Sequence, residues 1–331
     1  MRPDDDDRMR RLAPALVVAT LLLPASAAAL LTPGRTVTNA AAVTSLSVTH
    51  RSVVYAVGRT KRDCGHVRLW DTATRGWWTF GNRTIRGCEE GPSGGFGIAQ
   101  VATSGRRAFW VTHIGGNIAD YQLWTATPSR RSPRRLASDS GESGSPPPIV
   151  LGAGTREGVP YAVEGTVTYL NDAGTRQFRA DLGSPVRLLT SGPAAGTARV
   201  LASLADGRLV LLSRTGAVLR TDQYPPGAVR AIALGGAGPL VQVGATVNVG
   251  PFAGGRKITL PAGALMLDYR QRAVVYRRGT QARLRHISTG ADTLLQTFPV
   301  KAWQPMLFST DSWGSGWATG ATVSWRSGPL R

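Results

Sequence analysis

The stretches 167–174 (VTYLNDAG) and 209–216 (LVLLSRTG) share one plan: an apolar run, two or three polar residues, then a glycine. Both read as a strand entering a tight turn, because glycine reaches left-handed backbone angles without a steric penalty. The same punctuation returns at Gly254-Gly255, Ser288-Thr289-Gly290 and Ser327-Gly328. Counted at 174, 216, 254, 290 and 328, the glycines are 42, 38, 36 and 38 residues apart. Such a step holds four strands of ordinary length with their turns.

Working outward, the rest of the chain fills with similar units. A first group of four reads Thr44–Thr49, Ser52–Val57, His66–Asp71 and Trp77–Phe80, with alternation visible in Val48, Val53, Tyr55 and Val57. A second reads Ile98–Thr103, Ala108–His113, Tyr121–Ala126 and Arg134–Ala137; Leu69-Trp70 and Leu123-Trp124 stand in the third strand of each. Further groups span 149–180, 186–221, 229–260 and 265–298, and the last, over 306–325, yields three strands only. Repeats of about 40 residues with four strands each are the blades of a β-propeller. The expected fold is therefore all-β, a β-propeller of four-stranded blades. An exposed strand edge invites pairing with other chains, so the ring must close, and Arg35–Thr38 is placed to supply the missing strand. Seven blades closed by the N-terminal segment is the preferred count; six or eight would follow from misreading a strand or two. The Ser-, Pro-, Gly- and Arg-rich tract Ser129–Pro148 reads as a loop leading into the third blade.

Composition agrees with this plan. Forty Gly and 21 Pro suit many short strands and tight turns. Arg8, Arg10 and Arg11 precede an apolar run from Leu12 to Leu23 and then Ala25-Ser26-Ala27-Ala28-Ala29, the features of a secretory signal over 1–29, with Met9 as an alternative start and an uncleaved anchor as the competing reading. The domain proper is 30–331, in a secreted or cell-envelope location with no stable anchor after cleavage. Only Cys64 and Cys88 occur, and an oxidising compartment favours one disulfide between them over a metal site, for which two thiols and His66 fall short of four ligands. The net charge of +19 comes from 36 Arg and three Lys among 39 basic residues. That bias, and the scatter of the arginines, points to a solvated surface with some attraction for acidic polymers rather than to nucleic acid. Arg130, Arg131, Arg134 and Arg135 are the one dense group.

The architecture resembles secreted bacterial β-propellers of the WD40-like and TolB-like kind over nearly the whole chain after residue 29, on blade length, strand pattern and turns such as Asp71-Thr72-Ala73-Thr74-Arg75-Gly76. Trp70-Asp71 is the single Trp-Asp pair and Gly65-His66 the single Gly-His, so the resemblance carries over no catalytic residue. In such a fold the loops between second and third strands share a face with the loops between blades. Cys64 falls in the first kind and Cys88 in the second, so both reach one face. The same loops bring Arg62, His66, Glu89 and Glu90 there, and the second blade adds His113 and Asp120 beside Gly115-Gly116-Asn117. Trp303, in an inter-blade loop, is the best aromatic contact, while the other tryptophans read as core. No HExxH or phosphate-loop pattern is present, Gly141-Glu142-Ser143-Gly144 and Gly314-Ser315-Gly316 lack the spacing of a hydrolase elbow, and no catalytic residue, metal ligand set or cofactor is assigned. The leading expectation is a monomeric, non-catalytic propeller that binds a protein or an acidic cell-envelope polymer or glycan at this face. A lyase or hydrolase with its site at the channel mouth is the alternative.

Overall fold

The computed structural model describes residues 34–58, 65–81, 96–115, 117–142, 147–192, 198–235, 238–250, 255–270, 272–298, 307–310 and 314–328. Among them every regular element is a strand, and the strands form seven four-stranded antiparallel sheets. The seventh sheet borrows β1 (Arg35–Thr38) from the beginning of the chain. The first sheet is β2 (Val43–Thr49), β3 (Ser52–Val57), β4 (His66–Asp71) and β5 (Trp77–Phe80). The second is β6 (Phe96–Ser104), β7 (Arg107–Gly115), β8 (Ile118–Ala126) and β9 (Arg134–Glu142). The third holds β10 (Ile149–Leu151), β11 (Gly158–Val163), β12 (Thr166–Asn171) and β13 (Arg176–Asp181). The fourth holds β14 (Val186–Ser191), β15 (Ala198–Leu204), β16 (Arg208–Ser213) and β17 (Val218–Gln223). In the fifth are β18 (Val229–Gly235), β19 (Gly238–Val243), β20 (Thr246–Val249) and β21 (Arg256–Thr259). In the sixth are β22 (Leu265–Arg270), β23 (Ala273–Arg278), β24 (Gln281–His286) and β25 (Asp292–Thr297). The seventh is completed by β26 (Leu307–Thr310), β27 (Gly314–Thr319) and β28 (Thr322–Ser327).

Each sheet buries both faces, which explains why the second strands read as unbroken apolar runs. In β3 the odd residues Val53, Tyr55 and Val57 pack with Ala318, Val323 and Trp325 of the seventh sheet. The even residues Val54 and Ala56 pack with Val101, Ala108 and Trp110 of the second. The period of two sends neighbouring side chains into different seams. Similar clusters join second to third, third to fourth, fourth to fifth, fifth to sixth and sixth to seventh sheets. The seventh sheet also shares its apolar cluster with the first.

The first strand of each sheet has an edge of backbone donors that needs partners, and neighbouring sheets supply them. Ser309 Oγ accepts from Val48 N (2.9 Å), Ser45 Oγ from Val101 N (3.1 Å), Gln100 Oε1 from Leu151 N (2.7 Å), and Gln242 Oε1 from Met266 N (2.7 Å). Between third and fourth sheets, Ser191 donates through its backbone N–H and its hydroxyl to the carbonyl of Ala153. The Ser309 bond spans 261 positions and links the last sheet to the first.

The strand expected from Arg35–Thr38 is β1, paired antiparallel with β28 in the register Arg35–Trp325 to Thr38–Thr322. Asn39 continues the union. Its N–H and Nδ2 both donate to Ala321 O, while its Oδ1 accepts from Arg68 Nη1 (2.9 Å) and Tyr55 Oη (3.3 Å). Of the glycines that set the repeat, Gly174, Gly216, Gly290 and Gly328 have φ of 77°, 83°, 71° and 96°, the left-handed region for which glycine is suited. The tract Ser129–Pro148 departs from expectation: its centre is strand, because β9 continues to Glu142 and pairs with β8 as far as Ile118.

Candidate functional site

All four strands of the second sheet run nine residues, against four to seven in the first. At about 3.3 Å per residue, two or three extra residues carry the sheet some 7–10 Å further. Near its tip β7 and β8 pair as His113–Tyr121, Ile114–Asp120 and Gly115–Ala119, with Gly115 at φ 133° beginning the turn. A Cβ on Gly115 would lie 2.4 Å from Ile118 O, so the turn closes tightly there.

Alternation divides the side chains of this tip. Ile114 continues the row of Ala108 and Trp110, which packs against the first sheet lower down. It shares that face with Asp120 and Ile118, and, across β9, with Ser140 and Glu142. Ile114 is 36% exposed and Ile118 68%, so neither is covered by a seam. Asp120 Oδ1 accepts from Ser140 Oγ at 2.7 Å, which fixes a polar border beside the isoleucines. On the opposite face the His113 ring lies against Gly97, where a Cβ would come within 2.2 Å of its Cε1, and 6.2 Å from the Tyr121 ring. Burial lowers the His113 pKa from 6.5, which favours the neutral imidazole.

Of the residues singled out in sequence, His66, His113 and Asp120 are described. His66 opens β4 and is buried, across from Val57. His113 and Asp120 occupy one hairpin but opposite faces, so the structure does not bring them together as a pair. Arg62, Cys64, Cys88, Glu89, Glu90 and Trp303 lie outside the described residues, as does the pairing of the two cysteines. Among the described residues no three of His, Cys, Asp and Glu converge as metal ligands. No helix there is long and apolar enough to cross a membrane.

Most tryptophans are structural. Trp70, Trp110, Trp317 and Trp325 are buried, and Trp78 and Trp124 pack on the seam between first and second sheets. Trp77 is 39% exposed and stacks on Trp70 at 4.7 Å. The residues that sequence reasoning missed are Ile114 and Ile118. The signal was available in Ile114-Gly115-Gly116-Asn117-Ile118, two branched apolar residues too near a turn to reach a seam.

No family model matches the sequence, and no curated protein matches it. Solved structures do. The chain aligns over 97% of its length with 99% of a chain in the crystal structure of the mitotic checkpoint complex, at 15% identity and a TM-score of 0.60. It aligns over 92% of its length with Raptor from Chaetomium thermophilum, at 13% identity and a TM-score of 0.57, covering 29% of that longer chain. These neighbours are WD40-type β-propeller proteins. At such identities the likeness concerns fold alone: this chain has a WD40-like, all-β fold of seven four-stranded sheets.

Proposed function

We propose that this chain is a secreted, non-catalytic propeller, a ring of seven blades closed by β1, that binds a protein through the projecting tip of its second sheet. The observation that carries the reading is the exposed pair Ile114 and Ile118, held beyond the seams by strands longer than those of the first sheet. Interfaces place apolar side chains at the centre and polar ones at the rim, and here Asp120, Ser140 and Glu142 supply the rim. Branched aliphatic residues favour a protein over a glycan, whose sugar faces are better matched by exposed aromatic rings. Ring closure is supported by the seam and hydrogen bonds shared by seventh and first sheets. Export, and a disulfide between Cys64 and Cys88, rest on the sequence pattern alone.

The test is comparative capture. Residues 30–331 are immobilised as wild type, Ile114→Asp, Ile118→Asp and Leu219→Asp, the last altering an exposed residue of the fourth sheet. Cell-envelope and culture proteins retained on each are identified by mass spectrometry. Protein retained by wild type and Leu219→Asp, and lost from both isoleucine variants, is the expected result. An identical set on all four columns would contradict the proposal.

A further inference from the structure

The other end of the second sheet has the opposite character. The segment joining β8 to β9 and the turn joining β12 to β13 enclose a cleft of about 500 Å³. Arg107, Arg130 and Arg134 line it together with hydroxyl residues that include Thr125, Thr127 and Thr175, and none of its lining residues is acidic. In sequence Arg130 and Arg134 belong to a group that reads as solvated surface charge. Folding adds Arg107 from the start of β7 and turns two of that group toward one space.

The guanidiniums are held in different ways. Arg107 is fixed: Nε donates to Asp172 O (3.0 Å) and Nη2 to Ala173 O (2.7 Å). Arg134 Nη2 reaches the next carbonyl, Gly174 O, at 3.4 Å. A side chain at Gly174 would collide with this arrangement, since its Cβ would lie 2.9 Å from Arg107 Cζ. Arg130 is different. Its backbone closes a turn with Thr127, whose carbonyl and hydroxyl both accept from Arg130 N at 3.1 Å. Its guanidinium makes no hydrogen bond or ion pair among the described residues. Burial is the main influence lowering the Arg107 pKa; the positive charge of Arg134 adds to it and that of Arg130 adds less, while Asp172 opposes them. The half-buried Arg107 thus feels both neighbouring arginines, which stand exposed at the cleft, with Asp172 offsetting part of their effect. Like charges gathered in this way are stabilised by an anion placed between them.

We propose that the cleft between the second and third sheets binds a tetrahedral oxyanion, a phosphate or sulfate group carried on a larger molecule. Arg107 sets the position, Arg134 leans in from one long bond, Arg130 supplies the uncommitted donor fork, and the hydroxyls of Ser132 and Thr175 offer further donors to an anion with three free oxygens. The cleft volume lies within the range of small-molecule sites and exceeds the needs of a bare ion. This site is independent of the binding tip, because β7 and β8 separate them along their full length.

The experiment is titration of the full chain with inorganic phosphate and with sulfate, at pH 7 and constant ionic strength set by chloride. It is read by calorimetry and by the shift in Tm. Saturable binding of one equivalent of either anion, with a rise in Tm, is expected. Arg130→Ala and Arg134→Ala should each weaken binding by about tenfold or more, whereas Arg214→Ala, in the turn after β16, should leave it unchanged. Arg130→Ala removes a side chain that has no partner among the described residues, so its fold should survive, as an unchanged Tm without anion would confirm. Acetate should not compete. Absence of saturation beyond that of chloride, affinity unaltered in both arginine variants, or equal competition by acetate would each overturn the proposal. Ile118→Asp should bind the anion like wild type, so failure at the tip and failure at the cleft are distinguishable.

Discussion

The seventh sheet and the second sheet use the same antiparallel pairing for opposite ends. In the seventh, β1 and β28 meet in one ladder, and its apolar residues are covered on both faces. In the second, the strands carry on after their seam partners stop, so the same alternation delivers Ile114 and Ile118 to solvent. What separates a covered apolar residue from an exposed one is whether another sheet stands opposite. The residue type is apolar in both.

Breaking the seventh sheet should have the largest effect on stability. Trp325 is 4% exposed and packs with Tyr55, Trp70 and Val323 in the seam with the first sheet. Trp325→Ala should cost about 3–5 kcal/mol, measured by denaturant unfolding. At the tip, pH offers a smaller lever. Burial depresses the His113 pKa below 6.5 in the folded chain. The contribution of this group to stability is then complete above pH 6.5 and is lost as pH falls through the folded pKa, because the unfolded chain takes up the proton more readily. Between pH 7.5 and pH 5, wild type should lose more stability than His113→Gln in parallel urea titrations; equal losses would remove His113 from the account. The smallest effect belongs to Ile118. With 68% of the side chain already exposed, Ile118→Ser should change unfolding free energy by no more than about 0.5 kcal/mol. A larger loss would make the tip part of the scaffold and erase the contrast.

The same contrast explains what the sequence displayed. Seams cover both faces of the inner strands and leave apolar runs, so strands such as Ser52–Val57 and Val186–Ser191 are readable within a residue. Turn glycines with positive φ set the repeat, and the strand Arg35–Thr38 followed from counting three strands where four were needed. The ends of the second sheet were harder. Residues 138–142, Ser-Asp-Ser-Gly-Glu, have loop composition because they contact no seam, yet they form the outer strand of the tip. Their strand character comes from pairing with β8, a tertiary cause that composition does not carry. The arginine cleft was hidden for a related reason. Arg107, Arg130 and the turn at Asp172 stand far apart in sequence and meet only when the second and third sheets pack. Asp120 and His113 show the converse, since residues close in sequence on one hairpin faced opposite ways.

The proposed ring rests on the pairing of β1 with β28. Thr38 and Thr322 face each other across that ladder, with hydroxyls 3.3 Å apart, and paired positions across antiparallel strands lie within reach of a disulfide. The direct test is the double substitution Thr38→Cys with Thr322→Cys, oxidised and mapped by mass spectrometry of the proteolysed chain. The account predicts a cross-linked peptide containing positions 38 and 322, formed within one molecule, and a raised Tm. Thiols at 38 and 322 that stay unlinked, or that link only between molecules, would contradict it.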